Sequence, residues 1–83
     1  MNYLYVLKST AHKWNYIGVT KYLRKRFEEN NTGKVRSTKP YHQFKLVYYE
    51  AYLEYRTARK REISLKTHGQ EKKILFRRLG LYS

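Results

Sequence analysis

Tyr3-Leu4-Tyr5-Val6-Leu7-Lys8, then Ser9-Thr10-Ala11-His12-Lys13, then Trp14-Asn15-Tyr16-Ile17-Gly18-Val19: this stretch decides the fold. Two aromatic and β-branched runs flank a five-residue polar link, the pattern of a β-hairpin. Side chains alternate across a strand. Leu4, Val6, Ile17 and Val19 therefore form one face, fit for a core. Tyr3, Tyr5 and Leu7 lie on the other face, with Trp14, Tyr16 and Gly18. Tyr5 and Tyr16 come together there, as a stabilising cross-strand aromatic pair or as part of a site. Gly18 marks a close backbone approach.

Beyond the hairpin, Thr20 reads as the N-cap of a helix from Lys21 to about Asn30, stopped by Asn30-Asn31-Thr32-Gly33. Lys34–Gln43, with Pro40, reads as a basic loop, and Phe44–Glu50 as a third strand. A helix is predicted from about Glu54 to Thr67, with Gly69 as its C′ residue. A short basic helix follows over Gln70–Leu79. The order ββαβαα implies an α+β domain, a small three-stranded antiparallel sheet flanked by helices. Nothing divides the chain, so residues 1–83 read as a single domain.

Composition narrows the function. The 83 residues carry 19 Lys or Arg against 6 Glu, a net charge of +13. A polyanion is the favoured partner, and the 41% hydrophobic content argues against a disordered basic tail. Ten tyrosines supply rings for a core and for stacking on bases. The absence of Cys excludes a disulfide scaffold, a thiol nucleophile and a Cys-ligated zinc. It fits a reducing cytosol, so a cytoplasmic location is expected, with nucleoid association a further option. No apolar run approaches a membrane span of roughly 20 residues, and Met1–Lys8 does not read as a signal peptide. The short chain leaves no room for a deep organic-cofactor cavity.

Helical wheels at about 100° per residue place charges on packed faces. Tyr22, Leu23 and Phe27 share an arc that also holds Arg26 and Asn30. In the longer helix Tyr55, Ala58 and Leu65 share a stripe broadened by Ile63, and Glu62 lies within it. An unpaired buried charge costs several kcal/mol. Arg26 and Glu62 therefore pair with each other, snorkel to an edge, or converge on a site whose ligands complete them.

Tyr3-Leu4-Tyr5 followed after ten residues by Tyr16-Ile17-Gly18 resembles the paired signature of the GIY-YIG nuclease superfamily, with Tyr3 and Leu4 in place of its first Gly and Ile. Arg26 falls where that family has its helix Arg, and Glu62 on its metal-binding Glu. The similarity runs over about residues 3–75. It is nearest to small standalone bacterial members, related to the nuclease module of the excision-repair incision subunit.

The resemblance implies a DNA endonuclease, structure-selective or non-specific, using one Mg²⁺ or Mn²⁺, with RNA a further possible substrate. Glu62 would ligate the metal, Arg26 would bind the phosphate, and Tyr5 or Tyr16 would orient or deprotonate the attacking water. Gly18 would let the chain approach the substrate. Asn30 stands where standalone members carry a His, and Val19 where repair relatives carry Lys. His42 is a substitute imidazole or a plain surface residue. Lys34, Arg36 and Lys39 in the loop, with Lys72, Lys73, Arg77 and Arg78 in the last helix, would contact the backbone without reading sequence. The rival readings are a non-catalytic nucleic-acid-binding module of the same fold and an accessory subunit of a DNA-repair assembly.

Overall fold

A computed structural model describes residues 1–81. Strand β1 (Asn2–Ser9) pairs antiparallel with β2 (Asn15–Thr20) on one side and with β3 (Phe44–Tyr52) on the other, giving the order β2-β1-β3. Helix α1 (Leu23–Asn31) follows the hairpin, and a single 3-10 turn at Lys39–Tyr41 precedes β3. Helices α2 (Tyr55–Thr67) and α3 (Gly69–Arg78) close the chain. This is the α+β arrangement ββαβαα expected from the sequence.

The hairpin is locked at its tip by Ser9. Its Oγ accepts from the backbone N–H groups of Ala11 and His12, at 3.2 and 3.0 Å, and donates to the Tyr41 carbonyl at 2.7 Å. One side chain therefore closes the turn and ties it to the 3-10 segment.

Register puts Leu4 opposite Val19 and Val6 opposite Ile17, while Tyr5 lies opposite Gly18 and Leu7 opposite Tyr16. A bulge between Val6 and Leu7 in the pairing with β3 lets Leu46 and Tyr48 oppose them, with Val47 looped between. Leu4, Val6 and Ile17 pack with Leu65 of α2 and with Leu75 and Phe76 of α3. The opposite face carries Tyr5, Leu7 and Phe44, covered by Leu23 and Phe27 of α1 and by Trp14, Tyr16 and Tyr41. The sheet is thus sandwiched, with α1 and the 3-10 turn on one face and α2 and α3 on the other. Replacing Leu65, which is fully buried, with Ala removes about 2–5 kcal/mol.

Several boundaries differ from expectation. Helix α1 begins at Leu23, because the Thr20 hydroxyl accepts from the Tyr22 N–H at 3.0 Å and makes a turn where a cap was expected. Tyr22 consequently points outward and is 68% exposed. In α2 the packed stripe is Ala58, Glu62 and Leu65, whereas Tyr55 and Ile63 face solvent. Gly69 lacks the positive φ of a C′ residue; α2 ends at Thr67, His68 caps both helices, and Gly69 opens α3 directly. Strand β3 runs two residues past Glu50 because Ala51 and Tyr52 pair with Tyr3 and Asn2 of β1, and the Glu50 side chain within it is held in place. Its carboxylate accepts from Arg61 Nε at 3.1 and 3.2 Å, and from the hydroxyls of Tyr48 and Tyr52. Burial would raise the Glu50 carboxyl, but these donors outweigh it and hold it below the usual carboxylate range.

Candidate active site at the β2 edge

Tyr5 and Tyr16 lie on the α1 face with ring centroids 6.1 Å apart. Gly18 sits between them. A Cβ there would stand 2.7 Å from Tyr5 Oη and 2.8 Å from Tyr16 Cε2. The close approach expected at Gly18 is therefore made by the two phenols, which occupy the space that a side chain would need.

Tyr5 is only 1% exposed, and its hydroxyl has no protein partner of hydrogen-bonding geometry. Burial, reinforced by Tyr16, pushes this phenol up to about 12. Arg26 and Asn30 come near enough to oppose that rise in part. Neither completes a hydrogen bond to it, and the Asn30 amide makes its bonds elsewhere. Its Nδ2 donates to the Arg26 carbonyl at 2.8 Å, and its Oδ1 accepts from Thr38 Oγ1 at 2.6 Å.

Asn30, in the position where standalone members carry a His, is 0% exposed and latches α1 to the basic loop through Thr38. A ring at this position would break both bonds. The sequence signal was the Asn inside the apolar arc of α1, which is equally the signature of a buried polar latch. His42, exposed in the loop, directs Nδ1 to the Lys39 carbonyl at 2.5 Å.

Arg26 and Glu62 do not pair with each other among the described residues. Arg26 Nε meets Glu29 Oε1 at 3.4 Å, one turn along its own helix. Glu62, 7% exposed on the far side of the sheet, is held by Arg59 and by Lys66 Nζ at 3.0 Å. Lys66 also stands 5.8 Å from the centre of the Tyr16 ring. Tyr16 belongs to the α1 face and Lys66 to a helix on the other face, so the contact is made around the free edge of β2. Lys66 thereby joins the Glu62 carboxylate to the tyrosine–arginine cluster. Its position four residues after Glu62 was visible in the sequence, but its reach to Tyr16 was not.

No group of three or more His, Asp or Glu able to enclose a metal occurs among the described residues. The donor set at Glu62 is one carboxylate with both oxygens facing cations. That fits a hard divalent ion of the Mg²⁺ type, which keeps most of its water and binds through one or two carboxylates plus phosphate. Arg59 and Lys66 are about half exposed, so their pairs with Glu62 face water.

The two basic segments do not share a surface. Lys34, Arg36 and Lys39 are exposed on the loop that Thr38 fixes to α1. Lys73, Arg77 and Arg78 are exposed on α3 behind the opposite face, where Lys72 lies over the Phe76 ring at 5.4 Å. A polyanion lying flat on either face meets one set.

Fold and site together define a small basic α+β domain of the nuclease type, with paired strand tyrosines and a helix arginine on one side of an edge strand and a helix carboxylate on the other. The chain belongs to the GIY-YIG family: the family model described as the GIY-YIG catalytic domain matches residues 1–74. No curated protein and no solved structure matches it. Membership implies a nucleic-acid substrate, and divalent metals are general among nucleases of this family.

Proposed function

We propose that the protein is a divalent-metal-dependent endonuclease that hydrolyses DNA phosphodiester bonds at the β2 edge. The observation that carries this reading is the linkage of the Tyr5–Tyr16–Arg26 cluster to the Glu62 carboxylate around that edge through Lys66. Arg26 is half-buried, and its Glu29 partner lies on a partly open surface. It is placed to exchange that carboxylate for a phosphate, whose planar recognition suits a guanidinium, and to stabilise charge as the pentavalent state forms.

The two tyrosines divide the work by environment. Tyr5, at about 12, keeps its proton and serves as a hydrogen-bond donor. Tyr16, half-buried at the open edge, orients the attacking water through its hydroxyl. Lys66 beside its ring adds positive charge at the same edge. Asn30 is a positioning residue that holds α1, and with it Arg26, against the loop. When bound at Glu62, a divalent ion would supply Lewis-acid stabilisation of charge on the phosphate.

The test is nicking of supercoiled DNA with Mg²⁺ or Mn²⁺ by the wild type and by Glu62→Gln. The expected result is cutting by the wild type, with loss of cutting but retention of folding and DNA binding in the variant. The two ion pairs already satisfying Glu62 favour a second reading, a binding module without turnover. Absence of metal-dependent cutting by the wild type would decide for it.

A further inference from the structure

On the α1 face, beside the cluster, an open hollow of about 580 Å³ is floored by Tyr3, Tyr22 and Tyr49 and rimmed by Lys21, Arg24 and Lys25. Its volume lies within the roughly 300–1,000 Å³ of ligand pockets. Tyr22 and Tyr49 are among the most exposed large side chains, Tyr49 at 54%. Tyr3 meets Tyr49 edge to face, with centroids 5.9 Å apart and planes at 71°. Such a pairing leaves ring face of Tyr49 open. Three aromatic rings gathered at one surface depression, in a domain with so small a core, are unpacked binding surface.

The charge around the rings selects the occupant. Three cations stand there against one carboxylate, that of Glu28. Aromatic faces combined with cations match a nucleotide, a flat π-surface joined to a phosphate. The place selects it further. A smaller hollow of about 120 Å³, lined by Thr20, Arg26 and Glu29, shares Tyr22 and Lys25 with the larger one. A strand with one phosphate at Arg26 therefore runs on over Tyr22 into the tyrosine hollow.

We propose that this hollow seats an unpaired nucleotide of the DNA strand, next to the phosphate held at Arg26. Its base stacks on Tyr22 or Tyr49, and its phosphate is held by Lys21, Arg24 and Lys25. In a duplex both faces of each base are covered by neighbours, so a ring-stacking site accepts only a base released from the stack. The hollow thus makes the protein selective for junctions between double and single strand. Its position beside a scissile phosphate rests on the nuclease reading above; the nucleotide site itself does not.

The experiment uses the full chain carrying Glu62→Gln, without divalent metal, so that cutting cannot intervene. Affinities are measured for a blunt duplex and for the same duplex with a short single-stranded overhang containing 2-aminopurine. The overhang duplex should bind more tightly, and the 2-aminopurine fluorescence should fall on binding as the base stacks. Tyr22→Ala and Tyr49→Ala should each weaken overhang binding by about tenfold, within the range expected for losing one base–aromatic stack. Blunt binding should stay within about twofold, and Tyr22→Phe and Tyr49→Phe should retain the preference. Both rings are exposed, so unchanged melting temperatures confirm that the variants fold. Equal losses on both duplexes, no overhang preference, or unchanged fluorescence overturns the proposal. If overhang selectivity holds but the wild type cuts nothing with metal, the nucleotide site stands and the nuclease reading falls. If the wild type cuts while the ring variants bind as before, the reverse is true.

Discussion

Tyr5→Phe separates a hydroxyl kept for chemistry from one kept for stability. A buried tyrosine whose hydroxyl is bonded loses about 1 kcal/mol when the oxygen is removed. Tyr5 Oη is buried without a protein partner, and an unsatisfied buried polar group costs roughly 1–3 kcal/mol. Against this stand a few dispersion contacts of one oxygen, at about 0.1–0.2 kcal/mol each, including those with the Gly18 backbone beside it. The net expectation is a gain of about 1–2 kcal/mol. For a domain of this size, 1 kcal/mol moves Tm by roughly 4–8 °C, so Tm should rise by at least a few degrees. Over the same substitution, metal-dependent nicking should fall by about 10²-fold or more if the hydroxyl donates to the reacting phosphate. Thermal unfolding followed by circular dichroism reads the first quantity, and single-turnover nicking reads the second. A Tm lowered by several degrees together with unchanged nicking would refute the reasoning, since it would mean that the hydroxyl is paired and structural.

Gly18→Ala should lower Tm by roughly 4–24 °C, because its Cβ meets both phenols below 3 Å and overpacking costs about 1–3 kcal/mol; combining it with Tyr5→Phe should recover part of the loss, which a double-mutant cycle measures. Asn30→His should destabilise by about 2–4 kcal/mol and bring no gain in nicking, since the side chain is fully enclosed and bonded at both ends; a stable, more active variant would show instead that the position opens to the cleft. Between about pH 5 and 10 stability should be flat, and it should then decline toward 12. The folded state holds the Tyr5 and Tyr52 protons up to about 12 while the unfolded chain releases them near 10, so that chemical denaturation across this window, with Tyr5→Phe removing part of the slope, checks the sign. At the other end, stability should start to fall as pH drops below the ordinary carboxylate value of about 4.5, where the unfolded chain takes up a proton that the depressed Glu50 still refuses; at lower pH Glu50 itself is protonated and releases Arg61, and Glu50→Gln should flatten that limb.

What the sequence determined by itself was the part set by local periodicity. Alternation in β1 and β2 assigned Leu4, Val6, Ile17 and Val19 to one face and Tyr5 and Tyr16 to the other, because a strand has no other way to dispose them. The 3.6-residue period placed Asn30 and Glu62 on packed helix faces, where they lie buried, while Arg26, put on the same arc as Asn30, is 41% exposed at its side chain. Periodicity is blind to what stands across from a residue, and there the tertiary structure decided. It turned Asn30 into a latch, since Thr38 and the Arg26 carbonyl consume its amide. It gave Glu62 the cations Arg59 and Lys66 and denied it Arg26, since α1 and α2 cover opposite faces of the sheet. It set the loop lysines and the α3 lysines on opposite faces for the same reason. Tyr22 reads as core on a helical wheel, yet the Thr20 turn delays the helix by two residues and delivers the ring to solvent beside Tyr49. A pairing of that kind joins residues 27 positions apart, and only the packing of α1 against the sheet creates it.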